Sequence, residues 1–405
     1  MAIERDGERD CVIAGGGPAG MVLGYVLARA GLRVTVLEKH ADFLRDFRGD
    51  TVHPSTVTLL GELGLRDRFL ELPLTRLKTL DVVVDSERIT LVDFGTLRGP
   101  NNFLVLAPQW EFLNFLAAEA ASFPTFELRM QTEATDLIID GGQVRGVRAQ
   151  TSEGTIDIRA TLTVAADGRT STLRDAARLV PLDSGVPIDV LWFSLPQPPH
   201  PPPSTLGYVS SAGMVVTIDR GDRYQSGLII RKGGFAELRG RGLAGLRDRI
   251  VAAAPVLRPV VGTLTHWDQV KLLTVQLNRL RRWYRPGFIA IGDAAHAMSP
   301  LFGVGVNYAI QDAVALANAI TDDLVAGRAP TGVLAAVQRR RELPVRIMQR
   351  IQRAGHRLIA RSTSGRRIAP RWLLRILRLV SPVVRPVAAR FVGIGLRPEH
   401  VRRRP

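Results

Sequence analysis

Apolar and polar positions follow two periods along this chain. Residues 11–14 form a short apolar run, the length of a buried strand, and 34–37 form a second, β-branched one. Between them, residues 18–30 carry apolar positions at helical spacing, and Gly31 supplies a stop. Residues 51–64 read as a helix with Pro54 near its first turn. Residues 79–93 read as two strands around a polar turn, and 108–121 as a helix with Gln109 at its start. Residues 127–140 and 143–150 read as strands around Gly141-Gly142, and 155–165 as a further strand pair. From 186 to 275 the runs shorten and alternate, separated by turns and a proline-rich link. That pattern predicts an antiparallel sheet, with a helix at 235–254. Residues 288–291 return to a buried strand, and a long apolar helix runs to residue 320.

Chemistry enters between the first two strands. Gly15, Gly17 and Gly20 have the spacing G-x-G-x-x-G, and the second strand ends in Glu38. Strand, tight turn, helix, strand and acid together form the context of a dinucleotide fingerprint. Gly15 turns the chain off the strand, Gly17 leaves room for a pyrophosphate, and Gly20 lets helix and strand pack closely. Glu38 accepts from a ribose hydroxyl and disfavours a 2′-phosphate. The fingerprint leaves NAD and FAD open.

Further along, Asp167-Gly168 ends an apolar strand and a helix is expected near Ser171. Gly292-Asp293 ends the strand at 288–291, where Asp293 can accept from a ribityl or ribose hydroxyl. Gly303 and Gly305 precede the long helix, whose N–H groups then face an electron-rich group. Arg48, in the loop after Glu38, can reach phosphate or a cofactor edge. His296 has no Cys or acid at a ligand spacing, so no metal site is expected.

At 405 residues the chain is long for one domain. Its one cysteine, Cys11, excludes a disulfide within the chain and reads as a core residue. No apolar run is long enough to span a membrane, and no signal segment leads the chain, so a cytoplasmic location is expected. The net charge of +16 is concentrated: residues 331–405 carry 19 arginines against Glu342 and Glu399, leaving the body near neutral. Few aromatics and no recognition module argue against nucleic acid. Residues 371–395 mix apolar stripes with arginine, broken by Pro382 and Pro386. A peripheral-membrane or self-association role stays open for this basic region.

Three stretches, GGGPAG with its later LE, AADGRTSTLR and GDAAHAMSPLFGVGVN, occur in the order that resembles the FAD-dependent aromatic hydroxylases. These are single-component, p-hydroxybenzoate hydroxylase-like flavoprotein monooxygenases, and the ubiquinone-pathway subgroup is the nearest in character. The resemblance spans roughly residues 10–325 and implies an α/β fold. It has a Rossmann-like FAD-binding domain, an inserted antiparallel-sheet substrate domain and a C-terminal helical tail. The expected division gives the FAD-binding domain residues 1–76, 101–180 and 281–330. The substrate domain takes 77–100 and 181–280, and the basic helical region 331–405. The resemblance implies that Gly15, Gly17, Pro18, Ala19, Gly20, Glu38 and Lys39 take the ADP half of FAD. Arg48 and Gln109 fall on the ribityl-pyrophosphate side, and Asp167 is linked to FAD and NAD(P)H. Gly292 and Asp293 hold the ribityl chain, while Pro300, Gly303, Val304, Gly305, Val306 and Asn307 lie along the flavin ring. Where many relatives in that family have Gly-Gln-Gly, this chain has Gly303-Val304-Gly305, which keeps backbone contacts and loses a side-chain amide.

The implied reaction is hydroxylation of an aromatic or polyketide-like small molecule through a flavin C4a-hydroperoxide, with O₂ as oxidant and NAD(P)H as transient reductant. Trp192, Phe193 and Met214 are candidates for the substrate-pocket wall. No catalytic base stands out: His53 is a weak candidate, and His266 is expected on a strand of the second domain. Two competing readings remain. One is a FAD enzyme of the same architecture that dehydrogenates, reduces or halogenates, although the Trp-x-Trp-x-Ile-Pro stretch of halogenases is absent. The other is a non-enzymatic binder acting through its basic tail.

Overall fold

The computed structural model describes residues 4–44, 51–84, 87–201, 207–362 and 381–402. Two sheets organise it. The first has eight strands, with the path Tyr284–Arg285, Phe288–Ala290, Gly154–Ala165, Glu4–Ala14, Val34–Leu37, Phe126–Arg129. Strand Glu4–Ala14 lies parallel to both its neighbours, with Cys11 opposite Leu162 on one side and Val34 on the other. Such a strand is covered on both faces, so its run is apolar without alternation, and Cys11, Val12 and Ile13 have no exposed surface. Burial pushes the Cys11 thiol far up, as for an inert core cysteine. The helix Pro18–Arg29 crosses this sheet and packs on the long helix Gly305–Val325.

The second sheet has seven strands, and the pair Thr79–Val84 and Glu87–Asp93 is hydrogen-bonded into it. It departs from the antiparallel expectation at one seam, where Gly207–Ser210 pairs in parallel with Thr79–Val84. Strand Ile188–Pro196 sends alternate side chains to two cores. Ile188, Val190 and Trp192 join the core shared with the first sheet. Leu191, Phe193 and Leu195 meet the helix Gly242–Ala253 on the other face. Phe193 is therefore not a wall of the space between the sheets.

Other local expectations change for identifiable reasons. Residues 51–64 begin as a short strand, Thr51–Val52, and the helix Pro54–Glu62 starts at the proline. The stretch 127–140 is two strands, Phe126–Arg129 and Glu133–Asp140, separated where Gln131 turns to φ 49°. Residues 155–165 belong to one long strand, Gly154–Ala165, which pairs with three different partners along its length. The helix at 235–254 is two helices, Phe235–Gly240 and Gly242–Ala253, divided at Gly242. His266 precedes the turn Trp267–Gln269 and is exposed, not on a strand.

The tail helix Thr331–Ser362 packs along Gly305–Val325. Between them lies a buried polar cluster. Arg341 Nε donates to Asp312 Oδ1 at 2.9 Å, and Asp312 Oδ2 lies 2.6 Å from His296 Nε2. Burial raises the Asp312 carboxyl, but His296 and Arg341 outweigh it and hold the group below its usual range. The Arg341 guanidinium also donates to the Arg397 carbonyl and to Glu399, and Glu62 accepts from the Val401 N–H. The stretch 390–402 is thus docked on the body. The segment read as an interfacial stripe lies in part, at 371–380, outside the described residues.

Candidate active site

A cavity of about 850 Å³ opens where the carboxyl ends of the parallel strands face the second sheet. Gly15, Glu38, Asp167 and Asp293, each just beyond a strand end, border it on one side. Val190, Trp192, Met214 and Ile229 form the apolar opposite wall. This is where open α/β sheets bind ligands.

The glycine turn behaves as its spacing predicts. Gly15 has φ 105°, and a Cβ there would lie 2.3 Å from the Ala166 carbonyl oxygen. A Cβ on Gly20 would lie 2.0 Å from the Gly15 oxygen, so Gly20 serves the packing and does not border the cavity. Gly17 differs: among the described residues nothing lies within 4 Å of the place its Cβ would occupy. Pro18 opens the helix, Ala19 lies beside it on the cavity, no side chain caps the helix start, and no acid sits in its first turn. Its N–H groups and positive dipole end therefore face open space suited to an anion. Glu38 is held by the N–H groups of Gly16 and His40, each at 3.1 Å. Lys39 borders the cavity and lies 3.8 Å from Glu133.

Asp167 borders the cavity, but both its oxygens are engaged inward. They accept from the Ser171 hydroxyl and, at 3.2 Å, from the Leu173 N–H, which ties the Asp-Gly turn to the helix Thr172–Ala176. Burial pushes its carboxyl up. Asp293 accepts from Arg169 Nε at 3.0 Å, and both border the cavity, as does Gln109. Arg169 was not among the residues expected; its place in Asp-Gly-Arg was the available signal. Arg48 lies outside the described residues.

Phe302 and Gly303 turn the loop before the long helix with φ of 69° and 62°. A non-glycine residue held there is strained, a feature that concentrates at functional sites. A Cβ on Gly303 would lie 2.5 Å from Thr51 Oγ1, whose hydroxyl donates to the Gly303 carbonyl. Pro300, Gly303, Gly305 and Val306 border the cavity. Val304 and Asn307 do not: Val304 is wholly buried, and the Asn307 amide oxygen accepts from the Ser55 and Thr56 hydroxyls. Gly292 also sits behind the wall, with its N–H bonded to Asp312.

His53 is fully buried and does not border the cavity. Its ring nitrogens lie 3.0 Å from the carbonyls of Val392 and Gly303. Burial outweighs both contacts and lowers its pKa to about 4, so the neutral ring donates to only one of the two. It braces the Gly303 loop against the C-terminal segment. Among the described residues no group of side chains is arranged to hold a metal. Two further residues that the sequence reading passed over, Ser299 and His356, border the cavity.

The FAD binding domain family matches residues 8–351 of this chain. The 6-methylpretetramide 4-monooxygenase of Streptomyces rimosus is 32% identical over 395 residues, covering 95% of this chain and 88% of that protein. The chain belongs to the FAD-dependent aromatic hydroxylase family. Solved structures share the fold of this hydroxylase. OxyS anhydrotetracycline hydroxylase from Streptomyces rimosus superposes with a TM-score of 0.77 at 23% identity, covering 96% of this chain and 76% of that one. The p-nitrophenol 4-monooxygenase PnpA from Pseudomonas putida gives 0.77 at 21% identity, with 98% and 100% covered.

The hydroxylase's own residues fit FAD. Two long helices, Pro18–Arg29 and Gly305–Val325, begin on the same cavity, and neither has a side-chain cap or an acid in its first turn. One uncapped start suits a pyrophosphate; the other suits a ring system that accumulates negative charge. Among the described residues no helix is long and apolar enough to cross a membrane.

Proposed function

We propose that this enzyme hydroxylates an aromatic or polyketide-like small molecule, using O₂ and a nicotinamide reductant. FAD, when bound, supplies the oxygen-activating chemistry. The observation that carries the reading is that one cavity joins two uncapped helix starts to an apolar sheet face. In this reading Gly15, Gly17, Pro18 and Ala19 receive the pyrophosphate, with Glu38 and Lys39 on the ribose side. Gln109, Arg169 and Asp293 border the ribityl chain, and Pro300, Gly303, Gly305 and Val306 face the ring. Gly20, Gly292, Val304 and Asn307 hold these elements in place from behind. Asp167 acts by fixing its turn. Val190, Trp192, Met214 and Ile229 keep water from the reacting carbon.

The names of relatives favour an oxygenated ring as substrate: one acts on 6-methylpretetramide and another is a probable resorcinol 4-hydroxylase. The test is to supply phenols and polyketides to the FAD-loaded protein with NADH or NADPH under ¹⁸O₂. One labelled oxygen in the product supports hydroxylation. Substrate oxidation without label would leave a dehydrogenase and defeat the proposal. A surface or self-association role for the basic region would rest on Val383, Val384 and Val387, exposed beside Arg385. Co-sedimentation with anionic vesicles, lost in salt, is its test.

A further inference from the structure

We infer that His356, its tautomer set by Ser299, is the group that meets an acceptor oxygen on the bound substrate. The inference rests on the hydroxylase reading above and narrows it to substrates carrying a ketone or phenol oxygen.

The tail helix fixes the ring against the cofactor loop. Gln352 accepts from the Ser299 N–H at 3.2 Å and donates to the carbonyls of Ser299 and Leu301, each at 3.0 Å. The Leu301 side chain lies over Gly355, where a Cβ would come within 2.6 Å of it. His356, one residue further, is 1% exposed, as is Ser299. Both border the cavity.

The Ser299 hydroxyl oxygen lies 2.6 Å from His356 Nε2 and accepts from the Leu301 N–H at 3.1 Å. A hydroxyl has one hydrogen to give. Among the described residues Nε2 is the acceptor within reach of that hydrogen, so we assign Ser299 as the donor to Nε2 and the ring proton to Nδ1. That Nδ1–H is buried and has no partner among the described residues. Burial lowers the imidazole to about 4, and among the described residues no charged side chain contributes to the shift. The ring is neutral near pH 7: a poor base and a hydrogen-bond donor. Ser299, Gln352, Leu301 and Ile359 around it carry no charge that would alter this. A buried donor without an acceptor is costly, and a ligand oxygen removes the cost. Gln276 Oε1, also buried and unpartnered, borders the same cavity and offers the complementary acceptor for a hydroxyl.

The experiment uses the FAD-loaded enzyme with 2-naphthol and 2-methylnaphthalene, which differ in an oxygen and little in size. Binding is read from perturbation of the flavin absorbance, and the His356 tautomer from ¹⁵N imidazole shifts. Wild type should hold His356 with hydrogen on Nδ1 and prefer the naphthol by about tenfold. H356A and H356Q should lose the preference. H356N, whose amide nitrogen replaces Nδ1, should keep most of it. S299A should release the tautomer and blunt the preference. An Nε2–H tautomer, a wild type that holds FAD but shows no preference, or H356A and H356Q that retain it each overturn the inference. Absence of ¹⁸O incorporation from every phenol would instead overturn the hydroxylase reading.

Discussion

Gly17→Ala separates fold from function by giving opposite signs in two assays. Gly17 sits at φ −74°, ψ −179°, extended backbone that alanine adopts freely, and its added methyl would meet none of the described residues within 4 Å. Alanine at an unstrained site stabilises a protein by about 0.4–1 kcal/mol, through the unfolded chain. The apo protein should therefore gain that much in urea unfolding. The methyl, however, fills the space over the first turn of helix Pro18–Arg29, where the proposed reading puts the pyrophosphate against backbone N–H groups. Losing one hydrogen bond to a charged group costs about 1.5–3 kcal/mol. FAD affinity, followed by flavin fluorescence on the apo protein, should fall about 10- to 150-fold. Because ligand binding stabilises the folded state by mass action, the FAD-loaded variant should then unfold before loaded wild type. A G17A protein that binds FAD as tightly as wild type would refute the placement of the pyrophosphate. An apo protein weakened by more than about 1 kcal/mol would refute the claim that the site is open.

Other outcomes follow from the same geometry. Asp293→Ala removes the partner of Arg169 at the cavity edge and should lower FAD occupancy, read as the visible-to-ultraviolet absorbance ratio; a fully yellow variant rejects its role. Arg341→Met leaves the buried Asp312 with His296 as its remaining side-chain partner and Glu399 with the half-exposed Arg340, and should cost about 3 kcal/mol in chemical denaturation; a loss below about 1 kcal/mol would show that the cluster is solvated. His53 and His356 are both lowered to about 4, while the unfolded chain protonates near the ordinary value of about 6.5. Their stabilising contribution is complete above that value and is lost as pH falls toward 4, at about 1.4 kcal/mol per unit for each histidine. The double variant H53N/H356N should flatten that slope relative to wild type; equal slopes would disprove the assignment.

Legibility in the sequence followed distance along the chain. The glycine turn, its two strands and Glu38 could be read because the whole unit is local, and each residue type answers to one steric demand. The loop before the long helix stood out in the sequence by its glycines, and it borders the cavity. Which of its residues face the cavity was not, because Val304 and Asn307 turn inward once the helix packs on Ser55 and Thr56. The parity of strand Ile188–Pro196 was hidden for a related reason. A run apolar on both faces gives no clue to which side holds Trp192 and which holds Phe193. Strand Gly154–Ala165 looked like a pair because its partners come from distant parts of the chain. His356 lies in an arginine-rich amphipathic stretch with no motif around it; only the docking of that helix brings it to the cavity.

The order of strands in the first sheet has a consequence for how the enzyme is made. Glu4–Ala14 waits for Gly154–Ala165, which in turn borders Phe288–Ala290. A nascent chain displaying only its fingerprint thus has a turn without the neighbour that shapes it, since Gly15 is pressed against Ala166. Cofactor capture should therefore come late in biosynthesis, with N-terminal fragments that end before the Phe288–Ala290 strand emerging colourless.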